Sequence, residues 1–436
     1  MISKQTLAQI IKDWSDILPN HVIPRDLEID CYLPLNRAIT ITGPRRCGKT
    51  CYFYSLIHKL ISEGISLNRI LYVNFENPRL VDMDLQDLTI LWDVFLEFTT
   101  VNNQEKVFLF FDEIQNIDQW EIFIRNLLDQ NCAHIFITGS SAKMLAIDLA
   151  TALRGRTITY QLHPFSLKEF LQINQFEYNQ YLSSKEKAQF MKLYRQYFDD
   201  GGYPEIVLYP DIKKKLISEL INTTIYLDLI ERYHIKNAKI VKLMFNYLVK
   251  SKIFSTHKFY QFLKSLNIKT GKTSLYNYLE YFQDAFIIFS LRKFSYSLKK
   301  QEQSLPKIYL ADNAFIDAII GRDDGKKLEN LVFLSCIRKG YEINQALFYY
   351  ANATECDFVI KNNEKIVCLI QVCYDISDHL TKERELKALQ KSGEALHCNK
   401  RIIITYDYKG YETINDHPIE FIPFYEFDLE RPENLT

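Results

Sequence analysis

The stretch GPRRCGKT, Gly43–Thr50, decides how the rest of the chain is read. It satisfies G-x-x-x-x-G-K-[ST] at every fixed position. Its flanks supply the context that pattern needs. Before it, RAITIT (37–42) is short, apolar and β-branched, which is a strand signature. After it, CYFYSLIHKLI (51–61) carries apolar residues at helical spacing. A strand, a glycine loop and a helix turn successive backbone N–H groups around phosphates, and the helix N-terminus adds partial positive charge. The spacing assigns Gly43, Pro44, Arg45, Arg46, Cys47, Gly48, Lys49, Thr50 and Cys51 to the phosphates of ATP. Lys49 reaches the β- and γ-phosphates, and Thr50 holds Mg²⁺. The alternative is a strand–turn–helix with an accidental GKT, and both flanks argue against it.

Hydrolysis needs more than a phosphate cradle. It needs a carboxylate for the metal and a group that orients water. KVFLFFDEIQ (106–115) offers both. VFLFF reads as a parallel strand buried on both faces. Asp112 at its carboxyl end holds Mg²⁺ through a water, and Glu113 polarises the attacking water as general base. HIFITGSS (134–141) is a further strand whose end brings Thr138, Ser140 and Ser141 toward the γ-phosphate. The competing reading makes the serines caps of the next helix. In TALRGRTITYQL (151–162), Arg154 and Arg156 are candidates to reach a γ-phosphate, in their own chain or a neighbour's. Otherwise they are cations that favour a helix C-terminus. RILYVNFE (69–76) is another strand, with Asn74 and Glu76 at its end.

Composition narrows the class. The 436 residues are 47% hydrophobic and 25% charged, with a net charge of −1. That is an ordinary globular balance. Without a basic excess, any nucleic-acid surface must be local. No apolar run approaches the ~18 residues of a membrane span. MISKQTLAQIIKDWSDIL at the N-terminus is an amphipathic helix pattern without a signal-peptide core. Nine cysteines without a C-x-x-C pair, one of them inside the glycine loop, point to reduced thiols and a cytoplasmic protein.

GPRRCGKT, FFDEIQ, ITGSS and LRGR, followed by LHPFSLKEF (162–170), GGYPE (201–205) and ERYHIKN (231–237), together resemble one family. It is the prokaryotic AAA-superfamily P-loop ATPases that carry a C-terminal domain of uncharacterised function. The resemblance runs over most of the chain. It implies an α/β fold with a five-stranded parallel core, the glycine-loop strand central and the Asp–Glu strand beside the sensor strand. It implies the roles given above for Lys49, Thr50, Asp112 and Glu113, and it assigns Ser140 to the sensor position.

The expected organisation is an ATPase core at 1–165, a helical lid at 166–237, a winged helix at 238–300 and a nuclease-like domain at 301–436. In the lid, Gly201 and Gly202 are expected at positive φ in a turn. The winged-helix reading rests on three short helical patterns followed by FIIFSLRKFSYSLKK, which alternates like a hairpin. Ser255 caps the second helix, and Thr273 or Ser274 the third. Lys269, Lys272, Tyr276, Asn277, Arg292, Lys293, Lys299 and Lys300 are the candidate contacts to double-stranded DNA. The same module also serves as a protein-docking or packing unit. TGKTS (270–274) is no second glycine loop, because position 266 is Leu.

The last region resembles the PD-(D/E)xK nuclease core: a helix bearing Glu329, a hairpin bearing Asp357 with Glu355 two residues before it, then an acid-x-Lys strand. At that last position the chain reads Gln371-Val372-Cys373. A carboxylate and a lysine are both missing from the chemistry such enzymes use. The domain is therefore read as degenerate, with Glu329 and Asp357 as a vestigial metal site and Lys365 or Lys382 as candidate replacements for the lysine. The expectation is an Mg²⁺-dependent ATPase whose nucleotide state is coupled to this C-terminal region in a DNA transaction, of a defence or mobile-element kind. The alternatives are an ATP-driven conformational switch acting on a protein partner and an ATP-gated nuclease. A trans-acting Arg154 or Arg156 would require a homo-oligomer.

Overall fold

The computed structural model describes residues 2–99, 105–139, 153, 155–179, 181–352, 354–414 and 417–429. They divide into two compact units, Met1–His163 and Pro164–Thr436.

The first unit begins with α1 (Lys4–Asp13), capped by Ser3, whose hydroxyl accepts the Thr6 N–H. There follow β1 (Ala38–Thr42), α2 (Lys49–Ser62), β2 (Ile70–Asn74), α3 (Leu85–Phe98), β3 (Val107–Asp112), α4 (Trp120–Gln130), β4 (Ala133–Gly139) and β5 (Thr157–Gln161). The five strands form one parallel sheet in the order β2-β3-β4-β1-β5. This is the core of a P-loop NTPase. β3 lies beside β4, as the resemblance implies. β1 is interior, between β4 and β5, and the middle position falls to β4.

Side chains alternate between two cores along each strand, because successive residues point to opposite faces. Leu71, Val73, Leu109, Phe111, Ile135 and Ile137 face α1, α3 and α4. Ile39, Ile41, Tyr72, Phe108, Phe110 and Phe136 face α2, meeting Phe53, Leu56, Ile57 and Leu60. Phe110 and Phe136 stack with centroids 4.5 Å apart. Each such buried ring stabilises the unit by about 1.5–3 kcal/mol relative to exposure. The apolar run of β3 thus has a simple cause: both of its faces are covered.

The second unit opens with α5 (Leu167–Ile173), α6 (Ser184–Asp200), α7 (Pro204–Leu208) and α8 (Lys213–Thr223), which continues as a π-helix over Thr224–Glu231. Gly201 adopts φ +75° as expected, but Gly202 does not. Gly202 is required for a different reason. A Cβ there would stand 2.1 Å from the Phe165 carbonyl oxygen, while its N–H donates to the Asp312 carboxylate at 2.7 Å.

Next come α9 (Ala238–Lys250), α10 (Thr256–Ser265) and α11 (Lys272–Asp284). Ser255 caps α10 by accepting the Lys258 N–H. α11 starts after Gly271 without a side-chain cap, so Thr273 and Ser274 lie inside its first turn rather than capping it. The expected local hairpin is also different. β6 (Ile288–Leu291) pairs antiparallel with β7 (Lys307–Leu310), and α12 (Leu298–Glu302) lies between them. The strand pair therefore crosses the boundary drawn at 300. KIYL is buried along its whole length, whereas 298–302 are exposed or half-exposed, so KIYL is the better partner for the buried IFSL.

The unit ends with α13 (Ala314–Ile320), α14 (Asp324–Arg338), β8 (Leu347–Ala351), β9 (Glu355–Asn362), β10 (Lys365–Cys373), α15 (His379–Leu396), β11 (Arg401–Thr405), β12 (Gly410–Ile414), β13 (His417–Pro423) and α16 (Phe424–Leu429). β8 to β13 form a six-stranded mixed sheet in the order β12-β13-β11-β10-β9-β8. Leu386, Leu389 and Leu396 of α15 pack on one face, against Val359, Leu369 and Ile403. Phe333 of α14 stacks on Tyr309 at 4.2 Å and lies beside Phe358. All nine cysteines are free thiols. Among the described residues, no helix is long and apolar enough to cross a membrane.

Candidate functional site

The glycine loop joins β1 to α2. Gly43 has φ +150° and Gly48 has φ +99°, both in the left-handed region that favours glycine. A Cβ at Gly43 would lie 2.1 Å from the Leu162 carbonyl oxygen, so the loop can close only over a bare backbone. Arg25 braces it from outside the motif, donating to the carbonyls of Cys47 at 3.0 Å and His163 at 2.5 Å. Cys47 is fully buried beneath the loop, and burial pushes its thiol pKa up; Cys51 is exposed. Lys49, the first residue of α2, is buried. Its ammonium folds back on the loop, donating to the carbonyls of Gly43 at 3.1 Å and Pro44 at 3.2 Å.

Asp112, at the end of β3, is the hub. Thr50 donates to its Oδ2 at 2.6 Å, Tyr72 donates to the same oxygen at 3.0 Å, and Thr138 donates to Oδ1. Thr138 also accepts the Glu113 N–H at 3.1 Å. One hydroxyl of β4 therefore positions both acidic residues. Glu113 sits at φ +55°, with its carboxylate bonded by the Gln115 amide. Burial pushes its pKa up and the Asp112 charge adds to the rise; Lys49 opposes both. A hydroxyl and a buried carboxylate, in contact at the end of the glycine loop, are the oxygen donors that Mg²⁺ takes. Thr50 and Asp112 fit that ion.

Ser140, Ser141 and Arg154 lie outside the described residues. The reading of Arg156 as reaching a γ-phosphate of its own chain is corrected. Arg156 precedes β5 and pairs with Asp129, and the next residue, Thr157, is in register with Ala38 at the start of β1. The glycine loop leaves the other end of β1, about 13 Å along the strand. Arg156 is thus remote from the phosphates of its own chain. Asn74 ends β2 level with Asp112, where its side chain accepts the Glu76 N–H. Sequence reasoning missed Tyr72 and Arg25. Tyr72 reads as core in an apolar strand, and its hydroxyl gives no local signal. Arg25 lies 18 residues before the motif, in a segment without periodicity.

Residues 35–171 match the family described as AAA domain, a span that holds the glycine loop, Tyr72, Asp112, Glu113 and Thr138 but not Arg25. Residues 191–326 match a domain of unknown function, DUF8612. An uncharacterized protein of Methanocaldococcus jannaschii, MJ1544, is 38% identical over 98% of this chain and 96% of its own. The chain belongs to the MJ1544 family. An uncharacterized Haemophilus influenzae protein is 27% identical over 88% of this chain and 92% of its own. Among solved structures, the Walker-type ATPase PABY2304 of Pyrococcus abyssi is 12% identical, with TM-score 0.42, covering 73% of this chain and 96% of that one. In this member of the MJ1544 family, residues 35–171 form an AAA domain.

The second candidate site lies in the C-terminal unit, and here the expected metal site is corrected. Glu329, Glu355 and Asp357 do converge, but on a lysine. Lys307 of β7 places its ammonium 3.0, 2.9 and 2.8 Å from their carboxylate oxygens. Lys252 adds a second ammonium, 3.0 Å from Glu355 and 3.8 Å from Asp357. Among the described residues, no group of three His, Cys, Asp or Glu is arranged to hold a metal ion. The lysine is neither Lys365, which begins β10 at the exposed end, nor Lys382, which pairs with Glu412. Gln371 is bonded on both sides: its carbonyl accepts the Asp357 N–H at 3.2 Å and its amide donates to Glu385 at 2.6 Å. Burial pushes the Asp357 pKa up, but Lys307 and Lys252 more than offset it and hold the carboxyl below its ordinary range.

Of the eight candidate DNA contacts, Lys269, Lys272, Tyr276, Asn277, Lys299 and Lys300 are exposed. Arg292 is taken by Glu302, and the Lys293 ammonium donates to Asn352 at 2.7 Å.

Proposed function

We propose that the chain is an Mg²⁺-dependent ATP hydrolase. The observation that carries this reading is the contact of Thr50 with the buried Asp112 at 2.6 Å, with Glu113 next in the chain, at the lip of the glycine loop. Bound with the nucleotide, Mg²⁺ would neutralise charge on the phosphates, held by Thr50 and by Asp112. The loop amides and the Lys49 ammonium bind the phosphate oxygens. Lys49 now rests on two loop carbonyls and exchanges them for phosphate. Glu113 orients the attacking water and takes its proton. Thr138, which bonds both Asp112 and the Glu113 backbone, is a candidate to keep the two acids in step. Lys49→Ala should abolish nucleotide binding, and Glu113→Gln should bind ATP without turnover.

We further infer that the nucleotide state is read out through the second unit in a DNA transaction. The support is the three-helix segment α9–α11 with its β6/β7 ribbon, and the exposed Lys269, Lys272, Tyr276 and Asn277 at the start of α11 and just before it. Duplex DNA should stimulate ATP turnover, and Lys269→Glu with Lys272→Glu should remove the stimulation. Turnover indifferent to DNA would favour the switch that acts on a protein partner. ATP-gated nuclease activity is not part of this reading, because two ammoniums occupy the carboxylates it would need.

A further inference from the structure

We propose that Lys307 is the resident cation of a three-carboxylate site. The intact chain then takes no divalent ion there, and loss of the lysine opens a metal site built from Glu329, Glu355 and Asp357. This concerns the C-terminal unit alone and does not depend on the nucleotide chemistry.

Geometry is the first argument. Three carboxylate oxygens from α14 and β9 lie within 3.0 Å of one nitrogen. A divalent cation takes oxygen donors at about 2.1–2.6 Å, so with the ammonium gone the three carboxylates would close on that point by about half an ångström to hold one. The ammonium stands on that point. It is buried at 1% exposure, and Asp357, the most buried of the three acids, is at 3%.

Charge is the second argument. Three carboxylates face two ammoniums, Lys307 and Lys252, leaving one net negative charge. Of the neighbouring ionic groups, Lys326 is turned onto the carbonyls of Val249 and Ser251, and Glu385 is matched by Arg384. A divalent ion added beside Lys307 would overcharge a buried site, and burying unpaired charge is costly. With Lys307 replaced by a neutral side chain the deficit is two charges, which one divalent ion neutralises. Access is open as well. A groove of about 740 Å³ lined by Lys252, Glu355, Gln371 and Glu385 reaches the cluster from solvent.

Where the sequence pattern has its lysine this chain has Cys373, and the ammonium among the acids is that of Lys307, brought in by β7. It acts as a counter-ion inside the acids rather than beside a metal. The same contact ties the β6/β7 ribbon to the six-stranded sheet.

The test is Mn²⁺ uptake by the full-length, nucleotide-free chain. It is read by loss of the free Mn²⁺ resonance in an Asp112→Asn background that silences the nucleotide site. The proposal expects no ion at the cluster in this parent. It expects one Mn²⁺ per chain, bound at least about tenfold tighter than any parental binding, in Lys307→Met, and loss of that ion in Lys307→Met with Asp357→Asn. Should Lys307→Met unfold in chelator, recovery of its fold on adding Mn²⁺ supports the proposal. No Mn²⁺ uptake and no Mn²⁺ rescue in either Lys307→Met or Lys307→Gln overturns it. So does a parental Mn²⁺ ion that Asp357→Asn removes.

Discussion

Asp112 carries the account at the scale of single residues. It is 1% exposed and accepts hydroxyls from Thr50, Tyr72 and Thr138. Tyr72, itself bonded by Tyr54 at 3.3 Å, is the only one of the three outside the glycine loop and the sensor strand. Tyr72→Phe should cost about 1.5–3 kcal/mol, the worth of a hydrogen bond to a charged group. It should also raise the Mg²⁺ concentration needed for half-maximal turnover, because Oδ2 loses one of its two positioning donors. Urea unfolding and Mg²⁺ titration check both; an unchanged Mg²⁺ requirement would reduce Tyr72 to packing. Glu113 makes a prediction of opposite electrostatic character. Its pKa is raised, chiefly by burial, and it must be ionised to take a proton from water. The value of kcat/KM should therefore fall as pH is lowered, beginning at a higher pH than an exposed glutamate would give. The acid limb should disappear in Glu113→Gln.

Elements explain what was legible in the sequence and what was not. The glycine loop and the Asp–Glu strand were legible because their chemistry is local: the fixed residues, the strand and the helix are contiguous. Tyr72 and Lys307 were not, because each acts across a sheet or between elements. Nothing near Tyr72 distinguishes its hydroxyl from a core phenol. Nothing near KIYL says that its lysine meets acids 22, 48 and 50 residues later. The ammonium expected from Lys365, on the strand of Gln371 and Cys373 itself, or from Lys382 on the next helix comes instead from β7. The β6 hairpin failed for a similar reason, since a local alternation competed with a better buried partner beyond α12. The α6–α7 corner yields a direct test. Gly201 has φ +75°, and a Cβ there would stand 1.6 Å from the Asp312 carboxylate. Gly201→Ala should lower stability by more than about 1 kcal/mol through φ strain alone, and further through the collision. Thermal unfolding would show it, and an unchanged midpoint would contradict the role given to this turn.

For the whole molecule, the match to MJ1544 runs over 98% of the chain, so the nucleotide unit and the C-terminal unit occur together in that relative. The AAA match covers the glycine loop, Asp112 and Glu113, and DUF8612 covers most of the helices of the second unit together with Lys252 and Lys307. A net charge of −1 leaves no general attraction for nucleic acid, so a DNA role would have to reside in the exposed face of α11 and its neighbours. Everything downstream depends on whether the nucleotide unit turns over ATP through Glu113. The most direct measurement is steady-state ATP hydrolysis with Mg²⁺, wild type against Glu113→Gln, with nucleotide binding measured on both. The account predicts matched binding and turnover at least about 100-fold lower in the variant, the usual cost of losing a general base. Matched turnover in the two proteins would contradict it.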